Sequence, residues 1–585
     1  MSEGLFPVRA EADWRKAAEA ALKGAALEKL VSVTADGIAL GPLYARREGP
    51  RALRASPGAW KALARLDHPS PADFNAQAQD DLDNGADGLS VVFAGAGAAY
   101  GFGLGRADSA GLHRAFDGLN LEGKRLSLEI AALEQAKAVA ALIERSGAEI
   151  SRLDLAFGLD PLGARARGRA AADEAATKAA IADLRRPGFA GPFLAADARV
   201  VHEAGGTPAQ ELAFALAAGL AYLRLAEDPK AIEFRLAADA DQFATLAKFR
   251  ALRLLWGRVE EACGLEPGPA RLTAFSAWRM MTAVEPYVNV MRAALAAFSA
   301  GLGGADEVTL LPFTQAIGLP DAFARRLARN TALVELREAR LGHVADPAAG
   351  AGGFEALTEA LCGKAWALFQ AFEAAGGLAK AMEAGLVQTA VAAAAAALKR
   401  DVARARAPLT GVSAHPRLET ERIAVLPDAP APSPPAPPGA LAPFRLSEPF
   451  ERLREAASRA PKMFLAALGP LSAHVRRLGF AREVFEAAGV ATVAGAGASE
   501  PAALAEQFRM SGAAFACLCG TDEAYAEQAE LGAAALKAAG ATTVYLAGRP
   551  GEREAAWRAA GVDGFLYAGA DLVAALEAFL RRAAP

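Results

Sequence analysis

The hydrophobic pattern of this chain changes period many times along its length. Short apolar runs bounded by Gly, Pro or charge read as buried strands, and between them lie longer stretches with apolar residues at helical spacing. Such runs occur at residues 88–93, 125–130, 152–157, 198–202, 232–236, 271–275 and 308–313, separated by helical stretches such as 208–225 and 243–263. Residues 271–330 are the clearest unit, a strand, a helix and a second strand without interruption. Connections long enough to hold a helix imply parallel pairing, and the repetition predicts a closed (β/α)8 barrel rather than an open sheet. Residues 333–336 are the candidate for the eighth strand, residues 340–347 and the glycine run to Gly353 would form a loop at the barrel end, and helices are expected at 357–375 and 377–405.

Two segments break this rhythm. Residues 1–50 carry Trp14, a helical segment ending near Gly24, and then LEKLVSVTADGIALGPLY with alternating apolar positions. Such a segment cannot bury its own apolar face, so it lies on the next domain or reaches another chain. Residues 411–458 form a linker whose centre, PDAPAPSPPAPPGALAP from Pro427 to Pro443, is extended and semi-rigid by composition. Beyond it, strand candidates at 462–468, 491–494, 515–520, 543–549 and 564–568 alternate with helices at 473–488, 501–511, 524–539 and 552–560. That alternation predicts a flavodoxin-like, doubly wound parallel sheet. The expected organisation is therefore an arm at 1–50, a barrel at 51–410, the linker, and a second α/β domain at 459–585.

Composition narrows the function. At 585 residues, 53% of them hydrophobic, the chain is too long for one core and amply apolar for two. A formal net charge of −4 supplies no basic field for nucleic acid. The first residues lack the cationic and then apolar pattern of a secretory leader, and no window is apolar enough to span a bilayer, so no membrane partner is expected. Cys263, Cys362, Cys517 and Cys519 read as reduced thiols. A cytoplasmic protein is the expectation.

Specific motifs cluster in the central unit: RMM at 279–281, EPYVN at 285–289, FSAGLGGAD at 298–306, LPF at 311–313 and GLPDAFARRLARNT at 318–331. Together these resemble the methylmalonyl-CoA mutase family, and the pattern suits its small subunit. The run KLVSVTADGIALGPLY at 29–44 is similar to the arm that in this family wraps the other subunit, so the resemblance makes residues 1–50 a partner-contacting arm. It also implies that the second domain has the architecture of a cobalamin-binding domain.

The family's chemistry is largely missing from the matching positions. Its cobalamin domains carry D-x-H-x-x-G after the first strand, where the histidine ligates cobalt and the aspartate holds its other ring nitrogen. Here GPLSAHVRR at 469–477 sets Ser472, His474 and Arg477 in those places. A serine brings no anionic charge to raise imidazole basicity, and Arg477 puts a bulky cation where close approach is needed. His474 is thus the one candidate cobalt ligand, set against the reading of an ordinary histidine at a helix start. The family's S-x-L falls on residues 519–521 and its paired glycine on Ala547 and Gly548. In the barrel, catalytic subunits carry Y-H-M-Q-E-A-G, and the corresponding run here is RVVHEAG at 199–205.

Val200 takes the place of that histidine and cannot donate a proton or hydrogen bond. His202, two positions along and on the same face if the strand continues, is a substitute donor or else a barrel histidine with a structural partner. The family's H-T-N becomes Thr309, Leu310 and Leu311, and its tyrosine-bearing segment is replaced around residues 60–68. The glycine-rich run 95–105 lacks the Lys-Ser/Thr ending of a phosphate loop and reads as a mobile barrel loop. Cys517 and Cys519 share one face of a strand but have no further ligands nearby in sequence for a metal. No catalytic residue and no metal site is assigned.

The resemblance therefore implies a non-catalytic subunit of a heterodimeric methylmalonyl-CoA mutase. The interconversion of (R)-methylmalonyl-CoA and succinyl-CoA would run by radical rearrangement in a homologous large chain. That partner would hold adenosylcobalamin, the acyl-CoA substrate would bind in the complex, and this chain would bind no cofactor. Two alternatives stand beside it: a self-sufficient cobalamin-dependent acyl-CoA mutase using His474 and His202 in altered geometry, and a chaperone-like or regulatory protein for the mutase.

Overall fold

The computed structural model describes residues 9–583 apart from 49–53, 55–57, 106–107, 420, 422, 428–429, 431–435 and 458–461. Eight parallel strands form the larger sheet: β1 (Lys61–Leu66), β2 (Gly88–Val92), β3 (Arg125–Glu129), β4 (Asp154–Ala156), β5 (Leu194–Asp197), β6 (Ile232–Ala238), β7 (Arg271–Ser276) and β8 (Glu307–Thr309). They pair in the order β4-β3-β2-β1-β8-β7-β6-β5. A parallel bridge from Leu159 to Leu194, with Phe157 N–H donating to Pro192 O at 3.0 Å, joins β4 to β5 and closes the ring. Helices such as Pro208–Ala226, Gln242–Ala262 and Val288–Leu302 connect successive strands. Their alanine-rich faces and the outward side chains of the strands make one continuous apolar cluster.

Two expectations about strands and one about a helix are corrected. The remaining barrel strand is Lys61–Leu66 and not residues 333–336, which end the helix Ala322–Leu333 and continue into the π-helical turn Val334–Glu338. The fifth strand is Leu194–Asp197, and most of 198–202 belongs to a short helix, Arg199–Glu203. There Asp197 Oδ1 accepts the Arg199 N–H at 3.1 Å, a local turn bond at the point where the backbone leaves the sheet. Residues 377–405 form two helices, Leu378–Glu383 and Leu386–Ala403, split at Gly385 in the left-handed conformation.

The second sheet has five parallel strands, β9 (Met463–Ala467), β10 (Thr492–Ala494), β11 (Phe515–Cys519), β12 (Thr543–Leu546) and β13 (Gly564–Phe565), in the order β10-β9-β11-β12-β13. This is the flavodoxin-like order, reversing direction beside β9. Each strand lies within or across the stretch expected for it. Among the described residues no helix is long and apolar enough to cross a membrane.

Described residues of the segment between the two sheets contact the loops that follow the barrel strands. Leu426 N–H donates to Leu319 O, Leu441 N–H to Ala166 O and Phe444 N–H to Glu203 O, at 2.8 to 3.1 Å. At Gly168, in the left-handed region, a Cβ would stand 2.4 Å from the Pro437 ring. At the other terminus, Ile38 packs into the barrel cluster and Asp36 accepts the Ala209 N–H at 3.3 Å. The helix Glu11–Ala21 buries no residue at all.

Candidate functional site

Along β3, β6 and β7 the inward positions alternate with apolar outward ones, and many of them are charged. On the floor of the barrel, Arg125 Nη1 donates to Asp154 Oδ1 at 2.8 Å and Arg125 Nη2 to Glu233 Oε2 at 2.7 Å, while its Nε lies 2.8 Å from Glu307 Oε1. Lys61 and Arg271 close on Asp154 from the side at 2.7 and 3.1 Å. Burial pushes the Asp154 carboxyl up, but Arg125, Arg271 and Lys61 outweigh it and hold it well below the usual carboxylate range.

One layer higher, Arg235 Nε donates to Glu233 Oε1 at 2.8 Å and Arg235 Nη2 to Ser127 Oγ at 3.2 Å. At the carboxyl ends of the strands, Glu129 takes Ser90 Oγ–H at 3.1 Å and Arg199 at 3.0 Å, and Arg65 donates to Asp67 at 2.8 Å. The Arg199 guanidinium also lies 3.8 Å over the Phe275 ring. Ion pairs thus line the lumen from floor to mouth. Paired charges of this kind are roughly neutral for stability against apolar packing, but each becomes costly when its partner is lost.

The two barrel positions singled out from the sequence both lie on the short helix Arg199–Glu203. Val200 is buried, 1% exposed, and carries no polar group. His202 is equally buried, with Nδ1 3.4 Å from Glu211 Oε2 and Nε2 3.6 Å from Asp239 Oδ2. Because Arg199–Glu203 is helical, His202 does not continue a strand face. It faces the helix Pro208–Ala226, where Glu211 also takes Lys248 Nζ at 2.6 Å. Burial, with Arg279 close by, pushes the His202 pKa below its ordinary value, so the ring is neutral at pH 7. Thr309, Leu310 and Leu311 are all buried, and Leu311 N–H donates to Ser276 Oγ at 2.7 Å.

The motif residues that lead the sequence pattern work as scaffold. Arg279 Nη1 donates to the carbonyls of His202 at 2.9 Å and Gly206 at 3.0 Å. Asn289 Nδ2 donates to Thr282 O at 2.8 Å and Phe313 O at 2.9 Å. The segment between them receives the end of the linker and its helix Glu448–Ala457: Ala283 N–H donates to Glu451 Oε1 at 2.8 Å, Leu446 N–H to Arg279 O at 3.0 Å, and Arg445 bridges to Glu451 at 2.7 Å. The glycine-rich loop 95–105 is tied down, with Tyr100 stacked on Trp278 at 4.4 Å, its hydroxyl on Glu203, and Arg65 donating to Ala98 O at 2.8 Å.

In the second sheet, His474 sits in the first turn of the helix Leu471–Ala487, 5% exposed. Its Nδ1 is 3.4 Å from Leu468 O, and its Cε1 lies so near Gly497 that a Cβ there would stand 3.2 Å away. Ser472 has no carboxylate to offer that ring. Arg477 reaches across the carboxyl ends of the strands, donating to Gly520 O at 3.0 Å and Asp522 at 2.5 Å, with its guanidinium 4.9 Å over the Tyr525 ring. Tyr525 OH in turn donates to Ala547 O at 2.7 Å. This arrangement does not fit cobalt ligation by His474, because the imidazole is packed against backbone and the strand ends are bridged by Arg477. Cys517 and Cys519 are buried inside β11, and among the described residues no group of His, Cys, Asp or Glu is placed to hold a metal ion.

The lumen charges were the residues missed in the sequence. Their signal was there: Arg125, Ser127 and Glu129, and again Glu233 and Arg235, recur at every second position of runs otherwise apolar.

Comparison with known proteins agrees with this architecture. The family model described as methylmalonyl-CoA mutase matches residues 44–430. The methylmalonyl-CoA mutase small subunit of Streptomyces virginiae is 40% identical, over 99% of this chain and 97% of its own length. That of Propionibacterium freudenreichii subsp. shermanii is 33% identical, over 99% of this chain and 95% of its own. The methylmalonyl-CoA mutase of Escherichia coli strain K12 is 35% identical over only 32% of this chain. With a family model covering its barrel and two small subunits matching it nearly end to end, the chain belongs to the methylmalonyl-CoA mutase family.

Proposed function

We propose that this chain is the non-catalytic subunit of a heterodimeric, adenosylcobalamin-dependent methylmalonyl-CoA mutase. The single observation that carries the reading is the barrel lumen, occupied by Arg125, Glu233, Arg235, Glu129 and Arg199 in mutual ion pairs. A thioester substrate would have to displace these pairs and leave their charges buried, at a cost of several kcal/mol for each. Val200 and buried His202, which faces Glu211 and Asp239, offer no proton donor to the mouth, and Arg477 and Ser472 leave His474 unsuited to cobalt. The full-length relatives' description as small subunits supports a larger partner chain.

In this reading the cofactor, when bound by the partner, supplies the radical chemistry. This chain contributes a rigid second barrel and an interface. The helix Glu11–Ala21, with no buried residue, and exposed Val33, 68% accessible, are the surfaces suited to that contact. Co-expression with a homologous large mutase chain tests it. Purification through a tag on this chain should yield an equimolar, active complex by native mass measurement; an active large chain that never co-purifies contradicts it.

A further inference from the structure

A cavity of about 460 Å³ lies where the two α/β units meet. Three pieces wall it: the end of the helix Leu386–Ala403, the start of the helix Glu448–Ala457 with the linker residues just before it, and the first turns of the carboxyl-terminal helix Leu572–Ala583. Among the described residues no barrel strand, and no loop that follows one, contributes to its lining, so it is separate from the barrel lumen and mouth. Val402, Phe444, Leu446, Pro449 and Val573 give it a largely apolar wall.

Four cations and three carboxylates line the same cleft, and they are matched unequally. Asp571 Oδ1 accepts Ala574 N–H at 2.9 Å, Glu448 Oε1 accepts Arg445 N–H at 2.9 Å, and Glu577 lies 3.8 Å from Arg581. The Arg445 guanidinium is held by Glu451 at 2.7 Å. Lys399, Arg400 and Arg452 form no ion pair among the described residues, and the Lys399 ammonium lies instead 4.2 Å over the Phe444 ring. Every carboxylate here has a donor, whereas three of the four cations lack an anion.

We propose that this cleft binds a medium-chain aliphatic carboxylate, whose head pairs with Arg400 and Arg452 while its carbon chain lies against Val402, Leu446 and Val573. A guanidinium presents a fork that a carboxylate matches. Apolar walls with a few placed charges at a domain junction are the usual form of a small-molecule site. Four cations against three carboxylates favour one negative charge on the ligand over two or three, since further charge would meet Glu448, Asp571 and Glu577. Because the walls belong to both units, an occupant ties the last helix of the second sheet to the helix that follows the barrel. The site lies within this chain and does not depend on its having a catalytic partner.

The test titrates the full-length chain with octanoate by calorimetry, with 1-octanol and inorganic phosphate as controls. Octanoate should bind saturably, and both controls should bind at least several-fold more weakly. Replacing both guanidinium groups, Arg400→Ala with Arg452→Ala, should weaken octanoate several-fold. Ala574→Trp, which fills the cleft from an exposed helix position, should remove binding. All three residues are exposed, so the variants should melt as the wild type does. The proposal is overturned by the absence of saturable octanoate binding, by octanol or phosphate binding as tightly, or by unchanged affinity in either variant.

Discussion

Arg125 Nη2 donates to Glu233 Oε2 at 2.7 Å across the barrel floor, with the two side chains 0% and 1% exposed. One guanidinium there also serves Asp154 and Glu307. Arg125→Met would leave three carboxylates sharing a floor without their central cation. Loss of one partner from a buried pair costs roughly 3–5 kcal/mol, and the urea midpoint should fall accordingly. Arg125→Lys, a point charge that cannot fork to three acceptors, should fall between the two.

Asp160 ties stability to pH in a direction opposite to most carboxylates. Burial and Asp197 raise it to about 7 in the folded chain, against about 4 when unfolded. A group raised on folding contributes stability that is complete below the unfolded value and is lost as pH climbs through the folded one. Thermal stability should therefore decline between about pH 4 and 7 by an increment that Asp160→Asn removes. Asparagine also retains the cap on Gly163 N–H, so the variant should fold. Melting curves across that range, compared between the two proteins, give the difference directly.

Two glycines should respond in opposite ways to alanine. At Gly88 a Cβ would stand 2.1 Å from Arg125 O, a backbone atom of the neighbouring strand that cannot give way. Gly88→Ala should cost at least about 1–3 kcal/mol. Gly363 lies on the exposed side of the helix Gly352–Ala374 with nothing within 4 Å of its Cβ position. Gly363→Ala should stabilise by roughly 0.5–1 kcal/mol.

The strands that the sequence hid are those whose inward side is charged or whose outward side is only alanine. Lys61–Leu66 reads KALARL, and nothing in it resembles an apolar run because Lys61 and Arg65 serve lumen carboxylates. Leu194–Asp197 is short and alanine-rich, whereas the following RVVHE has the β-branched look of a strand. The bond from Arg199 N–H to the Asp197 carboxylate, a local turn that apolar periodicity cannot register, accompanies the start of the helix. The second sheet was legible throughout because its central strands, such as Met463–Ala467 and Phe515–Cys519, are apolar on both faces. Loss of the family's polar groups at Val200 and Ser472 could be read directly. The ion-pair column that fills the barrel needed the ring of strands to bring Arg125 and Glu233 together.

Glu451 fastens the end of the linker to the barrel. It accepts Ala283 N–H at 2.8 Å, Ser447 Oγ–H at 2.6 Å and Arg445 at 2.7 Å. Burial opposes its ionisation, but Arg445 and Ser447 outweigh it and lower its pKa, so its contribution is present above about pH 4 and lost as pH falls through the depressed value. Glu451→Ala should cost about 1–3 kcal/mol and speed amide exchange at Ala283 while leaving exchange within β3 unchanged.

The central claim, that the cofactor belongs to another chain, is tested most directly by titrating the isolated chain with adenosylcobalamin and following the corrin absorption. The account predicts no saturable spectral change for the wild type or for His474→Ala, and one corrin per pair once a homologous large chain is added, with turnover indifferent to His474→Ala. A saturable corrin spectrum from the isolated chain that His474→Ala alters would contradict it.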